Sequence, residues 1–125
     1  MIALKDVMTR HFEWIHPDAS VKEAVGRMDK MNLSMLPVCE DDHVVGVLAE
    51  PQLARTLTAV AQDPAAMKVR DVMISEVLTG RESQDVRDVI PLMRQRKIPV
   101  LPVLDSEECV VGIFSLGGPW RRSPQ

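Results

Sequence analysis

The feature that most constrains this chain is an internal repeat. Asp6-Val7-Met8 recurs as Asp71-Val72-Met73, and Leu36-Pro37-Val38 recurs as Leu101-Pro102-Val103 at the same spacing. Between them Val21, Val25 and Met28 match Val86, Ile90 and Met93 in register, and after Leu-Pro-Val the second copy gains one residue, so that Val44-Val45-Gly46 is matched by Val110-Val111-Gly112. An insertion there suits a hairpin turn. A repeat too short to close its own core must pack against its copy, so the pair rather than the single repeat is the folding unit. The 125 residues, 46% of them hydrophobic, are enough for one such module. The expected organisation is a single module over residues 1–125, with repeat 1 at 5–62 and repeat 2 at 69–119.

Each copy reads as strand, helix, strand, strand, with a further helix after the first copy. Ser20-Val21-Lys22-Glu23 has capping-box order, and Val21, Ala24, Val25, Met28 and Met31 recur at helical spacing, giving a helix with one apolar stripe. In the second copy Asp85 is the cap, with Val86, Val89, Ile90 and Met93 on the stripe. Pro91 falls inside that helix and predicts a kink, since proline removes one backbone hydrogen bond and crowds the preceding turn. Leu36 to Cys39 and Val44 to Leu48 are short apolar runs flanking Glu40-Asp41-Asp42-His43, a hairpin pattern repeated by Val100 to Leu104 and Val110 to Phe114. Pro51 suits the first turn of a helix carrying Leu53, Leu57 and Val60, which Asp63-Pro64 ends. Gly117-Gly118-Pro119 forbids an equivalent helix in the second copy, and Arg121 to Gln125 should fray. The fold class is therefore α/β: two β-α-β-β-α repeats packed sheet to sheet about a pseudo-twofold axis, the second lacking its final helix.

Several function classes are disfavoured. The net charge is −3 with acids and bases interleaved, which lacks the positive field of a nucleic-acid binder. No apolar run approaches membrane-spanning length and the N-terminus lacks the order of a secretory signal, so a cytoplasmic protein is expected. Cys39 and Cys109 show no metal or redox spacing and read as reduced, half-buried strand residues. His11, His16 and His43 share no helical face or ligand spacing, so no metal site is expected. No nucleophile-base set, paired carboxylates beside a glycine-rich loop, or phosphate loop is visible, so no catalytic residue is assigned. Met28, Met31, Met35 and Met93 read as packing residues.

Asp-Val-Met-Thr followed by a strand, then His16-Pro17-Asp18-Ala19-Ser20-Val21-Lys22-Glu23-Ala24, Leu-Pro-Val and Val-Val-Gly-Val, together resemble the cystathionine-β-synthase (CBS) domain repeat. The resemblance covers nearly the whole chain and occurs twice. It implies a paired module, called a Bateman module, that binds an adenosine-containing ligand between repeats, commonly as a homodimer, and regulates rather than catalyses. In the family one repeat supplies an end-of-strand Gly-h-h-Thr/Ser-x-x-Asp motif, whose carboxylate accepts the ribose hydroxyls and whose hydroxyl meets phosphate. The other supplies its first strand and the residues just before Leu-Pro-Val.

This chain departs from that pattern. The first copy has Ala49 and Gln52 at the hydroxyl and carboxylate positions; the second keeps Ser115 but has Gly118 for the carboxylate. Losing a charged bidentate acceptor costs about 1.5–3 kcal/mol, or about 10- to 150-fold in affinity. A His-Arg pair that phosphate-binding relatives carry before Leu-Pro-Val is replaced by Ser34-Met35 and Pro99-Val100, so polyphosphates should bind poorly unless Arg10, His11, Arg121 or Arg122 reaches in. The favoured ligand set combines Ser115 and Gly118 with Phe12, Glu13, Trp14, Ser34 and Met35, which offers a hydroxyl, aromatic rings and a thioether. The second, weaker set combines Ala49, Gln52, Val77, Leu78, Pro99 and Val100. The expected function is a non-catalytic module sensing an adenosine-type ligand of the AMP, ADP, ATP or S-adenosylmethionine class, with no required cofactor. The alternative is a degenerate pair kept for dimerisation or for docking a protein partner.

Overall fold

The computed structural model describes residues 1–59 and 63–116. In chain order the elements are α1 (Leu4–Val7), α2 (Val21–Met31), β1 (Met35–Glu40), β2 (His43–Ala49), α3 (Glu50–Ala59), a 3-10 turn (Val69–Asp71), β3 (Gly80–Arg81), α4 (Val86–Arg96), β4 (Val100–Leu104) and β5 (Val110–Ser115). The α/β repeat pattern expected from the sequence is present twice. The expectations of a missing final helix and a frayed C-terminus fall on residues 117–125, outside those described, as does the placement of Val60 and of the end of α3.

Local chemistry explains each element. Ser20 Oγ accepts the Glu23 amide at 3.0 Å, the first half of the expected capping box. Asp85 does the same for α4, taking the Arg87 amide at 2.9 Å. Both helices end alike: Asn32 and Lys97 each take φ 57°, and the following amides of Leu33 and Ile98 reach back to the Met28 and Met93 carbonyls at 2.8 Å. These are left-handed caps that satisfy carbonyls the helix leaves unpaired. In the first hairpin Asp41 and Asp42 both have positive φ, and Glu40 pairs with His43, making the two-residue turn whose twist matches that of the strands. The second hairpin is longer by the inserted residue, with the Asp105 side chain taking the Glu107 and Cys109 amides at 2.8 and 3.0 Å.

Two differences from the sequence reading stand out. The leading strand of the first copy is reduced to a single parallel bridge between Ile15 and Val38, whereas its counterpart in the second copy is the short strand β3, parallel to β4. Cys39 lies in β1 as expected but is buried rather than half-buried, and Cys109 is half-buried as expected but lies in the turn before β5 rather than in a strand. Both are free thiols, and burial pushes the Cys39 thiol up to about 11, well away from a reactive range. Pro91 sits exposed inside α4, which continues past it to Arg96.

The chain forms two compact units, and each is completed by the segment that precedes the other repeat in sequence. One unit joins Met1–Phe12 to the chain from Leu78 onward; the other is Glu13–Val77. In the first, the Leu4 and Lys5 amides donate to the Gln84 and Glu82 carbonyls, the Val86 amide donates to Ile2, and Thr9 exchanges two backbone hydrogen bonds with Ile113 at 2.8 and 2.9 Å. Leu4 is fully buried against Val89, Met93, Leu101, Val103 and Phe114. The second unit repeats the arrangement with the linker: the Val21 amide donates to Met67, the Val69 amide to Ala19, and Ile74 exchanges two bonds with Val47. Val69, fully buried, stands where Leu4 stands in the other unit.

The two glycines of the repeat explain why these docking segments fit. A Cβ on Gly46 would lie 2.6 Å from Met73 Sδ and 2.9 Å from the Ile74 carbonyl oxygen; one on Gly112 would lie 2.6 Å from Met8 Sδ and 3.0 Å from the Thr9 carbonyl oxygen. The methionine of each Asp-Val-Met motif therefore covers the glycine of a Val-Val-Gly motif. The methionine can move aside; the carbonyl cannot without breaking the backbone bridge it makes to the neighbouring strand. Gly46→Ala is expected to cost about 1–3 kcal/mol through this overpacking, read as a lower urea midpoint at unchanged m-value. A substitution that left the midpoint in place would show that the 63–77 segment does not bear on β2.

Candidate functional site

Ser115 is the last residue of β5, paired across the hairpin with Val100. The adjoining Leu116 amide donates to the Pro99 carbonyl at 2.9 Å. The strand register and this bond set the Ser115 backbone beside two apolar residues. Its Oγ is buried and has no hydrogen-bond partner among the described residues. Burying a hydroxyl without a partner costs about 1–3 kcal/mol, so this atom carries hydrogen-bonding capacity that the described residues leave unused.

The remaining sequence-derived residues divide between the units. Phe12, Leu78, Pro99 and Val100 share the unit of Ser115; Glu13, Trp14, Ser34, Met35, Ala49, Gln52 and Val77 belong to the other. The structure joins members of the two expected sets within each hairpin. Ser115 neighbours Val100 and Pro99 as described, while Met35 pairs with Ala49 and the Ser34 carbonyl accepts the Glu50 amide at 2.9 Å. The physical reason is the two-stranded register, which places the residue before Leu-Pro-Val opposite the end of the returning strand. Trp14 is 46% exposed, and its carbonyl accepts the Arg27 guanidinium. Phe12 and Glu13 are half-buried, as is Gln52 on α3. Gly118 lies outside the described residues. Of the four methionines, Met28 and Met93 are core and Met31 and Met35 are half-buried.

A second group escaped the sequence reading. His16, Asp18 and Glu40 each bring one donor atom within 4.8 Å of the others, and Arg70 joins them. The Arg70 Nε and Nη2 bind Asp18 Oδ1 at 2.8 and 2.6 Å, and Nη2 lies 3.9 Å from Glu40 Oε2. The Arg70 guanidinium holds the Asp18 carboxyl below the ordinary carboxylate range. Histidine spacing alone could not reveal this group, because two of its members are carboxylates and Glu40 is brought in by strand pairing.

The comparisons with known proteins agree with the architecture. The sequence profile of the CBS domain matches residues 4–58 and 69–117. The chain belongs to the CBS-domain family. CBS pairs are non-catalytic regulatory modules, and this chain is one of them. It is 32% identical over 117 residues to the CBS domain-containing protein YhcV of Bacillus subtilis, covering 94% of this chain and 82% of that protein. By contrast it spans only 21% of the inosine-5'-monophosphate dehydrogenase of Methanocaldococcus jannaschii, at 30% identity over 92% of this chain. Among solved structures, CBSX2 in complex with AMP superposes with a TM-score of 0.81 at 26% identity, covering 94% of this chain and 92% of that one. The CBS pair of MJ0100, solved with 5'-methylthioadenosine and S-adenosylmethionine, superposes at 0.77 with 25% identity, covering 91% and 92%. No helix among the described residues is long and apolar enough to cross a membrane.

Proposed function

We propose that this CBS pair senses an adenosine-type ligand and that the Ser115 hydroxyl is one of its contacts. The observation that carries the reading is the buried Ser115 Oγ at the end of β5, without a partner among the described residues, at the position where the family motif places a ligand-binding hydroxyl. The likeness to CBS pairs solved with AMP and with S-adenosylmethionine supports this ligand class. Within the class, the residues favour ligands of low negative charge. Gln52 and Gly118 stand where the ribose-binding carboxylates would be, and Pro99-Val100 and Ser34-Met35 stand where phosphate-binding bases would be. Adenosine, 5'-methylthioadenosine and S-adenosylmethionine should therefore stabilise the protein more than ATP. The missing carboxylates also favour a second reading, in which the pair acts as a homodimeric or docking scaffold that no nucleotide affects.

Thermal unfolding with and without these ligands separates the two. Binding to the folded state alone gives RT ln(1 + [L]/Kd), about 2.7 kcal/mol at a hundredfold excess over Kd. Ser115→Ala should abolish the ligand-dependent shift while leaving the melting temperature of the free protein unchanged or slightly higher, because the lost hydroxyl makes no bond among the described residues. No shift with any ligand, in a chain that sediments as a dimer, would overturn the sensor reading in favour of the scaffold.

A further inference from the structure

The group around His16 has a chemistry that the adenosine reading does not use. Ile15 pairs with β1, its amide donating to the Pro37 carbonyl at 3.0 Å and its carbonyl accepting the Cys39 amide at 2.9 Å. That register sets His16 beside Glu40 at the end of the strand. The chain then turns through Pro17, with the Ala19 amide on the His16 carbonyl at 3.0 Å, and Asp18 folds back so that its amide donates to His16 Nδ1 at 3.0 Å. The open ring nitrogen, Nε2, stands 3.6 Å from Glu40 Oε2, and Nδ1 is 4.0 Å from Asp18 Oδ2. All three side chains are between 40 and 49% exposed, so an ion from solution can reach them.

One imidazole and two carboxylates form a donor set suited to a divalent transition metal of the zinc class. Ligand bonds of about 2.0–2.2 Å in a tetrahedral site place donor atoms about 3.3–3.6 Å apart. The His16–Glu40 edge is already at that length, and Asp18 needs only a side-chain rotation. The site also holds a cation of its own: the Arg70 guanidinium lies between the two carboxylates, with Lys68 contributing further positive charge at Asp18. Arg70 takes Asp18 Oδ1 while Oδ2 faces His16, and Glu40 Oε2 faces both His16 and Arg70, so a metal ion drawing on both carboxylates competes with the guanidinium for their charge.

We propose that His16, Asp18 and Glu40 form a zinc-class metal site for which Arg70 is the built-in competitor, so that metal binding releases Arg70 from Asp18. Ligation through Nε2 moves the ring proton to Nδ1 and forfeits the Asp18 amide contact, which together with displacing Arg70 makes the site weaker than a structural zinc site.

Calorimetric titration of the untagged protein with Zn2+, with Co2+ absorption as a second readout, tests this. One ion per chain is expected. His16→Gln and Glu40→Gln should weaken binding by about 10-fold or more, since loss of even a partner that only orients a ligand costs about 10- to 100-fold. Arg70→Gln should tighten it several-fold, whereas a purely structural Arg70 clamp predicts no gain. His43→Gln, outside the cluster, should leave it unchanged. Absence of saturable binding at millimolar Zn2+, binding indifferent to His16→Gln, or weaker binding in Arg70→Gln would each overturn the assignment.

Discussion

Replacing Leu4 with alanine, near the N-terminus, is expected to destabilise the unit built on the C-terminal repeat by about 2–5 kcal/mol. The side chain is fully buried among Val89, Met93, Leu101, Val103 and Phe114, so its removal leaves a cavity between α4 and the β4–β5 hairpin. The cavity cannot simply collapse, because the backbone around Leu4 is pinned on both sides, by Gln84 and Glu82 and by the Thr9–Ile113 pair. Gly80 adds to the tightness: a Cβ there would meet Leu4 Cδ1 at 2.5 Å. Urea unfolding measures the overall loss. Native-state hydrogen exchange locates it, with faster exchange expected in residues 78–116 than in 13–59. A cost below about 1 kcal/mol, or exchange altered equally throughout, would mean that the N-terminal segment is not part of this core.

Pro91→Ala should act in the opposite direction, raising stability by about 2–3 kcal/mol. Pro91 is the sixth residue of α4, so its missing amide leaves the Arg87 carbonyl without its helical partner, and its ring crowds the same turn. Because the residue is exposed, alanine removes the penalty without deleting core contacts. At roughly 4 °C per kcal/mol for a chain of this size, the melting temperature should rise by about 10 °C. An unchanged temperature would show that α4 has already accommodated the proline by satisfying the Arg87 carbonyl elsewhere. The comparison is clean because the stripe that α4 buries, Val89 and Met93, lies on its other side.

The ligand contact proposed at Ser115 would couple to the folded state through the strand that carries it. Ser115 ends the strand whose earlier residue Ile113 is tied to Thr9 and whose Gly112 is covered by Met8. A ligand that engages the Ser115 hydroxyl therefore stabilises a strand held by a segment from the far end of the sequence. The Gly46→Ala and Leu4→Ala substitutions, each of which loosens one such docking segment, are accordingly expected to affect stability although neither residue is among the proposed ligand contacts.

What the sequence determined by itself is whatever depends on near neighbours. Helix starts were legible from Ser20 and Asp85, the apolar stripes from residues three and four apart, the hairpins from acidic turns between β-branched runs, and the position of Ser115 from the motif it shares with the family. These rest on capping, periodicity and turn chemistry, which act over a few residues. Only the tertiary structure decided which segment completes which repeat. Asp6-Val7-Met8 and Asp71-Val72-Met73 carry the same local pattern, and nothing within either says that Met8 covers Gly112 and Met73 covers Gly46; that choice is made by burial across about a hundred and about thirty residues of chain. The same holds for His16, Asp18, Glu40 and Arg70, which parallel pairing of Ile15 with Val38 and docking of the linker bring to one point. Long-range burial and strand pairing leave no periodic trace in the residues they join, so such groupings emerge only once the chain has folded.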